Sequence, residues 1–322
     1  MFGINIFFLL QEKMKTIDIS VQEFLQHCKY EKNLSEKTIK AYSADLQQFV
    51  VFAYVKMELE IAAINKNVLK DYISSISKYR PKTIKRKIAS LKVFFNYLEF
   101  EDEISLNPFR KMKIRFREPK VLPSVMSLTE VLSVFKSVYN ARYETKAGDH
   151  KIDFARDIAL IELLFAIGAR VSELSTLKLK NIDLEQGIVK LEGKGNKERI
   201  IQVCNKEALV ALKQYDATIP DAKRKREYFF VNRLNKRLSE QSIRYIVKRH
   251  VSSSKIGSRI TPHTFRHTFA TLLLEEGVDI KYIQQMLGHS SILTTQIYTH
   301  VSKEKQKEIL STMHPRKHFS MA

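Results

Sequence analysis

The second half of the chain carries a set of side chains whose types together suit the transfer of a phosphoryl group. The set contains two arginines, two histidines, one lysine and one tyrosine: Arg170, Lys194, His263, Arg266, His289 and Tyr298. Arginine offers paired planar donors to phosphate oxygens, and histidine moves protons near neutral pH. Lysine can protonate a leaving alkoxide, and tyrosine can act as a covalent nucleophile. The set predicts attack of a protein side chain on a phosphodiester without a metal ion.

Each of these residues, taken alone, also has a simpler interpretation. Arg170 could pair with Glu173 on a surface turn, and Tyr298 could lie in a core. His263 and Arg266 are three positions apart directly after a proline, so they share one face at a helix N-terminus, where anions are favoured. Only their joint occurrence favours a catalytic site.

Motifs for other chemistries are missing from the sequence. It has no Walker-type phosphate loop, no H-E-x-x-H, and no acidic cluster beside the basic set. The two cysteines, Cys28 and Cys204, exclude a disulfide scaffold and a four-cysteine zinc site. We therefore expect no cofactor and no metal, and we do not expect nucleotide hydrolysis or a two-metal nuclease.

The overall charge favours a polyanionic partner. The chain has 322 residues, with 55 Lys and Arg against 35 Asp and Glu, which gives a net charge of +20. Nucleic acid is the first candidate and an anionic membrane surface the second. The apolar run Ile4 to Leu10 is shorter than the roughly 20 residues that a membrane span needs. We expect a soluble, cytoplasmic protein without membrane insertion.

The elements that must position these residues are mostly helical. The first hundred residues contain four stretches with helical spacing of apolar residues, the last from about Lys82 to Phe100. In the second half, two β-like runs, 188–191 and 200–203, flank a glycine-bearing turn and predict a hairpin. The polar segment 140–153 is predicted to be a loop. The fold class is therefore mainly α with a small antiparallel sheet.

The pattern predicts five segments along the chain. They are an N-terminal extension (1–15), a helical bundle (16–106), a basic linker (107–121), an α+β catalytic domain (122–302) and a C-terminal tail (303–322). Basic residues on the fourth helix and the linker could neutralise DNA phosphates without reading sequence, although a solvated face would look the same. These candidate DNA contacts are Lys82, Lys85, Arg86, Lys87, Arg115 and Arg117.

Short motifs around the six residues give the chain a family resemblance. The motifs are A-R-V-S-E-L, G-K-G-N-K-E-R, P-H-T-F-R-H, L-G-H-S-S and T-T-Q-I-Y-T-H-V, in this order. They resemble the tyrosine recombinase (phage integrase) family, and most closely its bacterial Xer-type branch. The segment S-E-K-T-I-K-A-Y-S-A-D-L resembles the family's SAM-like core-binding domain. The chain departs from the family at Ile167-Gly168-Ala169, where threonine and leucine or methionine are usual around the glycine.

The resemblance implies a role for each matching residue. Tyr298 would attack the scissile phosphate, form a 3′-phosphotyrosyl link and free a 5′-hydroxyl. The two arginines would hold the non-bridging oxygens, and Lys194 would protonate the leaving oxygen. His263 would take the tyrosine proton, and His289 would donate a hydrogen bond to the phosphate. Glu173 would orient the first arginine.

The resemblance also implies a biological role and partners. A Xer-type enzyme would resolve chromosome dimers at a dif-like site in double-stranded DNA, at the nucleoid. It would act as a homotetramer, or as a heterotetramer with a second recombinase, and with a septal DNA translocase. An integrase of a mobile element is the alternative, and a type IB topoisomerase or a non-catalytic DNA-binding protein are alternatives of another class. The tail would be a subunit-contact helix, or else fold on its own domain.

Overall fold

The computed structural model describes most of the chain as two compact units, Met1–Val121 and Leu122–Ala322. Among the described residues, no helix is both long enough and apolar enough to cross a membrane. The predicted fold class is confirmed: the structure is mainly helical with one three-stranded antiparallel sheet. The described residues are 16–56, 61, 64–114, 124–144, 151–193, 198–221, 224–254, 256, 260–288 and 303–318.

The described part of the first unit contains four α-helices: α1 (Ile17–Tyr30), α2 (Glu36–Lys56), α3 (Lys66–Ser75) and α4 (Pro81–Phe100). A short 3-10 turn at Pro108–Lys111 follows them. Each helix buries one apolar stripe, and the stripes meet in an aromatic core. In that core, the rings of Phe24 and Phe94 are 5.5 Å apart, and those of Phe49 and Tyr72 are 5.0 Å apart.

The second unit contains eight helices and the sheet among its described residues. The helices are α5 (Leu128–Glu144), α6 (Lys151–Ile167), α7 (Val171–Ser175), α8 (Lys206–Thr218), α9 (Glu240–Ser253), α10 (Pro262–Glu275), α11 (Ile280–Leu287) and α12 (Lys303–Thr312). The strands are β1 (Ile182–Asp183), β2 (Ile188–Glu192) and β3 (Glu198–Gln202), in the order β1-β2-β3. The predicted loop 140–153 was too long, because α5 and α6 extend into it with polar turns that show no apolar periodicity.

Helix α6 is the centre of the second unit. Residues 157–169 are buried without interruption, so this helix is covered on every side, and it packs against α5, α8 and α10. The hairpin is in the predicted place, with Val189 paired to Ile201 and Glu192 to Glu198. Arg170 follows the end of α6, and Lys194 belongs to the segment between β2 and β3.

The tail packs on its own domain in this structure. Ile309 and Leu310 of α12 are buried in the domain core, and α12 contacts β3. Arg316 is 1% exposed and forms an ion pair with Glu162 at 3.0 Å. Apolar spacing shows that a face is buried but not which subunit covers it. The structure thus shows the second of the two interpretations, and docking of the tail on a neighbouring subunit stays a prediction.

Candidate active site

Arg170 is placed by a tight turn between α6 and α7. Gly168 closes α6 with φ +58°, the left-handed conformation that glycine adopts most readily. A Cβ on Gly168 would lie 2.6 Å from the Phe269 ring and 2.8 Å from the Leu287 side chain. Only glycine allows this approach, which brings the start of α7 against α10 and α11. The turn therefore fixes Arg170 beside the end of α11.

Arg266 approaches the same point from α10. Reciprocal bonds between Thr261 and Thr264 cap this helix, and Arg266 lies one turn inside it, 5% exposed. Its Nη1 donates to the Gly168 carbonyl at 2.8 Å and its Nη2 to the Leu287 carbonyl at 2.6 Å. Burial, and after it the charge of Arg170, lowers the pKa of Arg266 to about 9, so its guanidinium stays charged at neutral pH.

Arg170 makes three bonds and keeps donors available. Its Nη1 donates to Glu173 Oε1 at 2.7 Å and to the Leu287 carbonyl at 3.2 Å, and its Nη2 donates to the Gly288 carbonyl at 2.9 Å. Within the part of the chain that the structure describes, the Nε hydrogen and one Nη2 hydrogen have no partner. The side chain is 30% exposed, so these donors can reach a ligand.

A single buried carboxylate, Glu173, balances part of this charge. It accepts bonds from the backbone N–H of Arg170 at 2.7 Å and from Nη1 and Nη2 of Arg199 at 2.5 and 2.8 Å. Burial alone would raise the pKa of Glu173, but the bonds and charges of Arg199 and Arg170 outweigh it and hold that pKa below its ordinary value. Two guanidinium groups therefore bind this carboxylate and that of Arg266 lies nearby, so positive charge exceeds negative charge among the described residues of the site.

Arg199 is the residue of this cluster for which the sequence analysis predicts no role. It closes the motif G-K-G-N-K-E-R, and this position was the available signal. The contact with Glu173 joins positions 26 residues apart, and no local spacing rule predicts it.

His263 lies in the first turn of α10, three residues before Arg266, and is exposed. Partial burial and the nearby charges of His267, Arg244, Arg266 and Arg170 lower its pKa below the ordinary value. At neutral pH the imidazole is therefore uncharged and able to accept a proton.

The other three predicted catalytic residues, Lys194, His289 and Tyr298, lie outside the described residues. Their immediate neighbours are described at two points. Strands β2 and β3 pair on either side of Lys194, and Gly288 ends α11 directly before His289. The structure thus brings together Arg170, Arg266 and the residue that precedes His289. Among the described residues, no group of three or more His, Cys, Asp or Glu side chains is arranged to hold a metal ion.

The predicted DNA contacts in the first unit separate into two groups, and Lys87 needs a correction. Its side chain is 9% exposed and binds the fully buried Asp45 at 3.1 Å, so its charge is used inside the bundle. Arg86 also binds Asp45, at 2.5 Å, but its side chain is about half exposed. Lys82 and Lys85 lie on the exposed face of α4. The candidates Arg115 and Arg117 lie outside the described residues.

Comparisons with known proteins show which proteins this chain is similar to. A model described as "Phage integrase family" matches residues 139–305, and one described as "Phage integrase, N-terminal SAM-like domain" matches residues 21–102. The chain is 45% identical to a protein named "Tyrosine recombinase" from Agathobacter rectalis, over 95% of this chain and 99% of that protein. It is 36% identical to "Tyrosine recombinase XerC" from Thermodesulfovibrio yellowstonii, over 94% of this chain and 98% of that protein.

Solved structures share the fold. A lambda integrase (residues 75–356) dimer bound to a COC′ core site matches with a TM-score of 0.68 and 17% identity, over 89% of this chain and all of that one. The recombinase XerH bound to a palindromic difH substrate matches with a TM-score of 0.67 and 21% identity, over 92% of this chain and 82% of that one. At these identities the likeness concerns the fold alone.

Proposed function

The chain belongs to the phage integrase family and is a site-specific tyrosine recombinase, an enzyme that acts on DNA. We propose the following roles for its residues in the reaction. Tyr298 attacks the scissile phosphate of double-stranded DNA, forms a 3′-phosphotyrosyl link and releases a 5′-hydroxyl. The 5′-hydroxyl of the partner strand then attacks this link, restores the phosphodiester and frees the tyrosine. The covalent link conserves the bond energy, so the proposed reaction has no use for a nucleotide cofactor or a metal ion.

The observation that carries the proposal is the cluster of three guanidinium groups near Glu173. In the described site Arg170 and Arg199 bind this carboxylate, Arg266 binds the Gly168 and Leu287 carbonyls within reach of their charges, and Arg170 keeps open donors. Such a site stabilises an added anion, and it does so most strongly where negative charge grows in the transition state. A phosphodiester under attack supplies that charge.

The proton transfers follow from the residues beside this cluster. His263 is uncharged at neutral pH and, as the proposed base, takes the phenolic proton of Tyr298, whose free pKa of about 10 would otherwise keep it protonated. Lys194 comes directly after Gly193, the residue that follows β2. It is the proposed acid for the leaving 5′-oxygen. His289 would donate a hydrogen bond to a phosphate oxygen. It directly follows Leu287 and Gly288, whose carbonyls accept bonds from the arginines.

DNA binding by the first unit is proposed from its exposed basic face. Lys82, Lys85 and Arg86 would contact the phosphate backbone, together with Arg115 and Arg117 of the basic segment 107–121. The net charge of +20 supports such contacts.

For the biological role, we propose resolution of chromosome dimers at a dif-like site, which links the enzyme to chromosome partition at cell division. Relatives named XerC and XerD, at 36% identity over nearly their whole lengths, support this role. The relative at 45% identity carries only the general name, so integration of a mobile element stays the alternative.

Exchange of two strand pairs needs four nucleophiles, which favours a tetramer of this chain, or of this chain and a second recombinase, on paired sites. A septal DNA translocase belongs to the same proposal, as does action at the nucleoid in the cytoplasm.

The test is covalent trapping followed by sequencing of the trapped DNA. Wild-type protein is incubated with fragmented chromosomal DNA, denatured, and recovered with its covalently attached strands. We expect one enriched site with a 3′-linked strand end, and no adduct with Tyr298→Phe, which removes one hydroxyl and keeps DNA binding.

The outcome also separates the alternatives. A single chromosomal site favours dimer resolution, and a site at the end of a mobile element favours integration. Adducts spread over all sequences, together with relaxation of a supercoiled plasmid that lacks the site, would indicate a topoisomerase. An adduct that persists in Tyr298→Phe would exclude this tyrosine as the nucleophile.

A further inference from the structure

Arg199 lies where three parts of the candidate site meet. It is the second residue of β3, just after the hairpin segment that contains Lys194, and its side chain is 12% exposed. Its two Nη atoms donate to the two oxygens of Glu173 at 2.5 and 2.8 Å. On its other side, a Cβ built on Gly288 would lie 3.3 Å from both Cδ and Nη1 of Arg199.

The bidentate contact of Arg199 with Glu173 limits the number of hydrogen bonds that Glu173 can accept from the Arg170 side chain. Arg199 occupies both oxygens of Glu173, and the backbone N–H of Arg170 bonds one of them as well. The Arg170 side chain is left with a single bond to Glu173, through Nη1. Its remaining donors bind the carbonyls of Leu287 and Gly288 or stay open.

The arrangement without Arg199 would be different. Glu173 is 2% exposed, and a buried carboxylate that loses a bidentate partner is left with unmet hydrogen bonds at a large cost in free energy. Arg170 already binds Glu173 through Nη1, and a paired contact with both oxygens would use a donor that is now open or bound to a carbonyl. It would also withdraw Arg170 from the carbonyls at the end of α11, which directly precede His289.

Resting on the function proposed above, we propose that Arg199 is a positioning residue for strand cleavage, which occupies Glu173 so that Arg170 remains available to the scissile phosphate. Arg199 does not itself touch the phosphate in this scheme. It acts through Glu173 and Arg170, and through its contact with Gly288 it ties the hairpin that bears Lys194 to the end of α11.

The experiment measures cleavage separately from binding. A nicked suicide duplex is built from the site recovered by trapping, and single-turnover adduct formation is followed at saturating protein, while the Kd for the same duplex is measured by mobility shift. We expect Arg199→Ala to slow cleavage by roughly 10- to 100-fold, the loss seen when a group that orients an active-site ligand is removed, and to change Kd by less than about twofold. Arg199→Lys keeps the charge but not the paired donors, so we expect an intermediate loss.

A double-mutant cycle tests whether Arg199 acts through Glu173. If it does, Arg199→Ala in a Glu173→Gln background should slow cleavage by less than about threefold, because the carboxylate it restrains is already gone. The matched control is Arg226→Ala, which removes another buried arginine of the same unit, one that pairs with the partly exposed Asp216. This control should lower stability and leave the cleavage rate of the folded protein unchanged.

Several results would overturn the inference. They are a wild-type cleavage rate in Arg199→Ala, a full loss that persists in the Glu173→Gln background, or an equal loss in Arg226→Ala. If Arg199→Ala does not fold, Arg199→Lys takes its place in the same cycle. Wild-type protein and Tyr298→Phe are assayed in parallel. Absence of a wild-type adduct would overturn the proposed function and this inference together, whereas a wild-type adduct with unaffected Arg199 variants overturns the inference alone.

Discussion

At the scale of single residues, the site is defined by an imbalance of charge. Among the described residues, Arg170 and Arg199 bind one carboxylate and Arg266 lies nearby, and burial and the charge of Arg170 already lower the pKa of Arg266 to about 9. The same surroundings lower the pKa of His263. A basic environment thus has two effects: it holds an anion in place, and it keeps the neighbouring imidazole uncharged and ready to act as a base.

The lowered pKa of His263 predicts the pH dependence of cleavage. Only the neutral ring can accept a proton, and its fraction rises with pH through the pKa of the ring. Since that pKa lies below its ordinary value of about 6.5, the second-order rate constant for adduct formation should rise with pH and reach half of its maximum below that value. This rate constant reports the free enzyme, so the relevant pKa is that of the DNA-free site.

The measurement compares wild type and His263→Gln from about pH 5 to about pH 8, the range in which histidine titrates. The variant should be slower by roughly 10²- to 10⁴-fold and should lose the acidic limb of the profile. A limb of the same shape in both proteins would assign it to another group, and His263 would not be the base.

At the scale of elements, helix α4 shows how a basic stretch divides between two tasks. Lys87 and Ser90 point inward to Asp45, while Lys82 lies on the exposed face. Arg86 binds the same carboxylate from the surface. One side of the helix therefore uses its charge to fix α4 against α2, and the other side presents charge to the surroundings.

Paired substitutions should separate these tasks. Lys82→Ala should reduce the slope of log binding constant against log salt by about 0.9, because one phosphate contact is lost. Lys87→Met should leave that slope unchanged and lower the free energy of unfolding by about 1–3 kcal/mol, because Asp45 loses a buried donor. Salt titrations of DNA binding and urea denaturation measure the two effects. An unchanged slope in Lys82→Ala would mean that this side chain only faces solvent.

At the scale of the whole molecule, the position of the C-terminal tail bears on how subunits assemble. Its anchors are inside the domain: Arg316 pairs with Glu162, which also accepts a bond from Tyr139 at 2.7 Å, and His314 donates to the Ala166 carbonyl at 3.1 Å. Residues 289–302, which include Tyr298, join α11 to this tail. Heterologous contacts of such a tail can close a ring of subunits, so its transfer to a neighbour would link the four active sites.

Locking the tail on its own domain tests this transfer. Cys204 Sγ lies 3.6 Å from the Lys307 carbonyl, so Lys307→Cys in a Cys28→Ser background offers a pair for a short bis-maleimide. The cross-linked protein should bind a single site as before and lose cooperative filling of paired sites and strand exchange. Mobility shifts on one-site and two-site DNA and a recombination assay measure this, with uncross-linked protein as the control. Wild-type recombination by the locked protein would show that the tail stays on its own domain.

The reaction class and the class of fold could both be predicted from the amino-acid sequence. Residue types such as a tyrosine with paired arginines, histidines and a lysine carry their chemistry wherever they lie, and helical or alternating periods are local properties. Hence the motifs around Arg170 and Tyr298 predicted a tyrosine recombinase, and the patterns predicted helices with one hairpin at 188–203.

Only the tertiary structure decided which side chains meet. The Arg170 side chain donates to a carbonyl 117 residues away in the sequence. Arg199 likewise binds Glu173, and Lys87 binds Asp45, although the partners are far apart along the chain. A local pattern contains no information about such distant partners, because they depend on how helices pack. For the same reason, the basic pattern of α4 did not reveal that Lys87 is buried. The apolar stripe of α12 likewise did not reveal which subunit covers it.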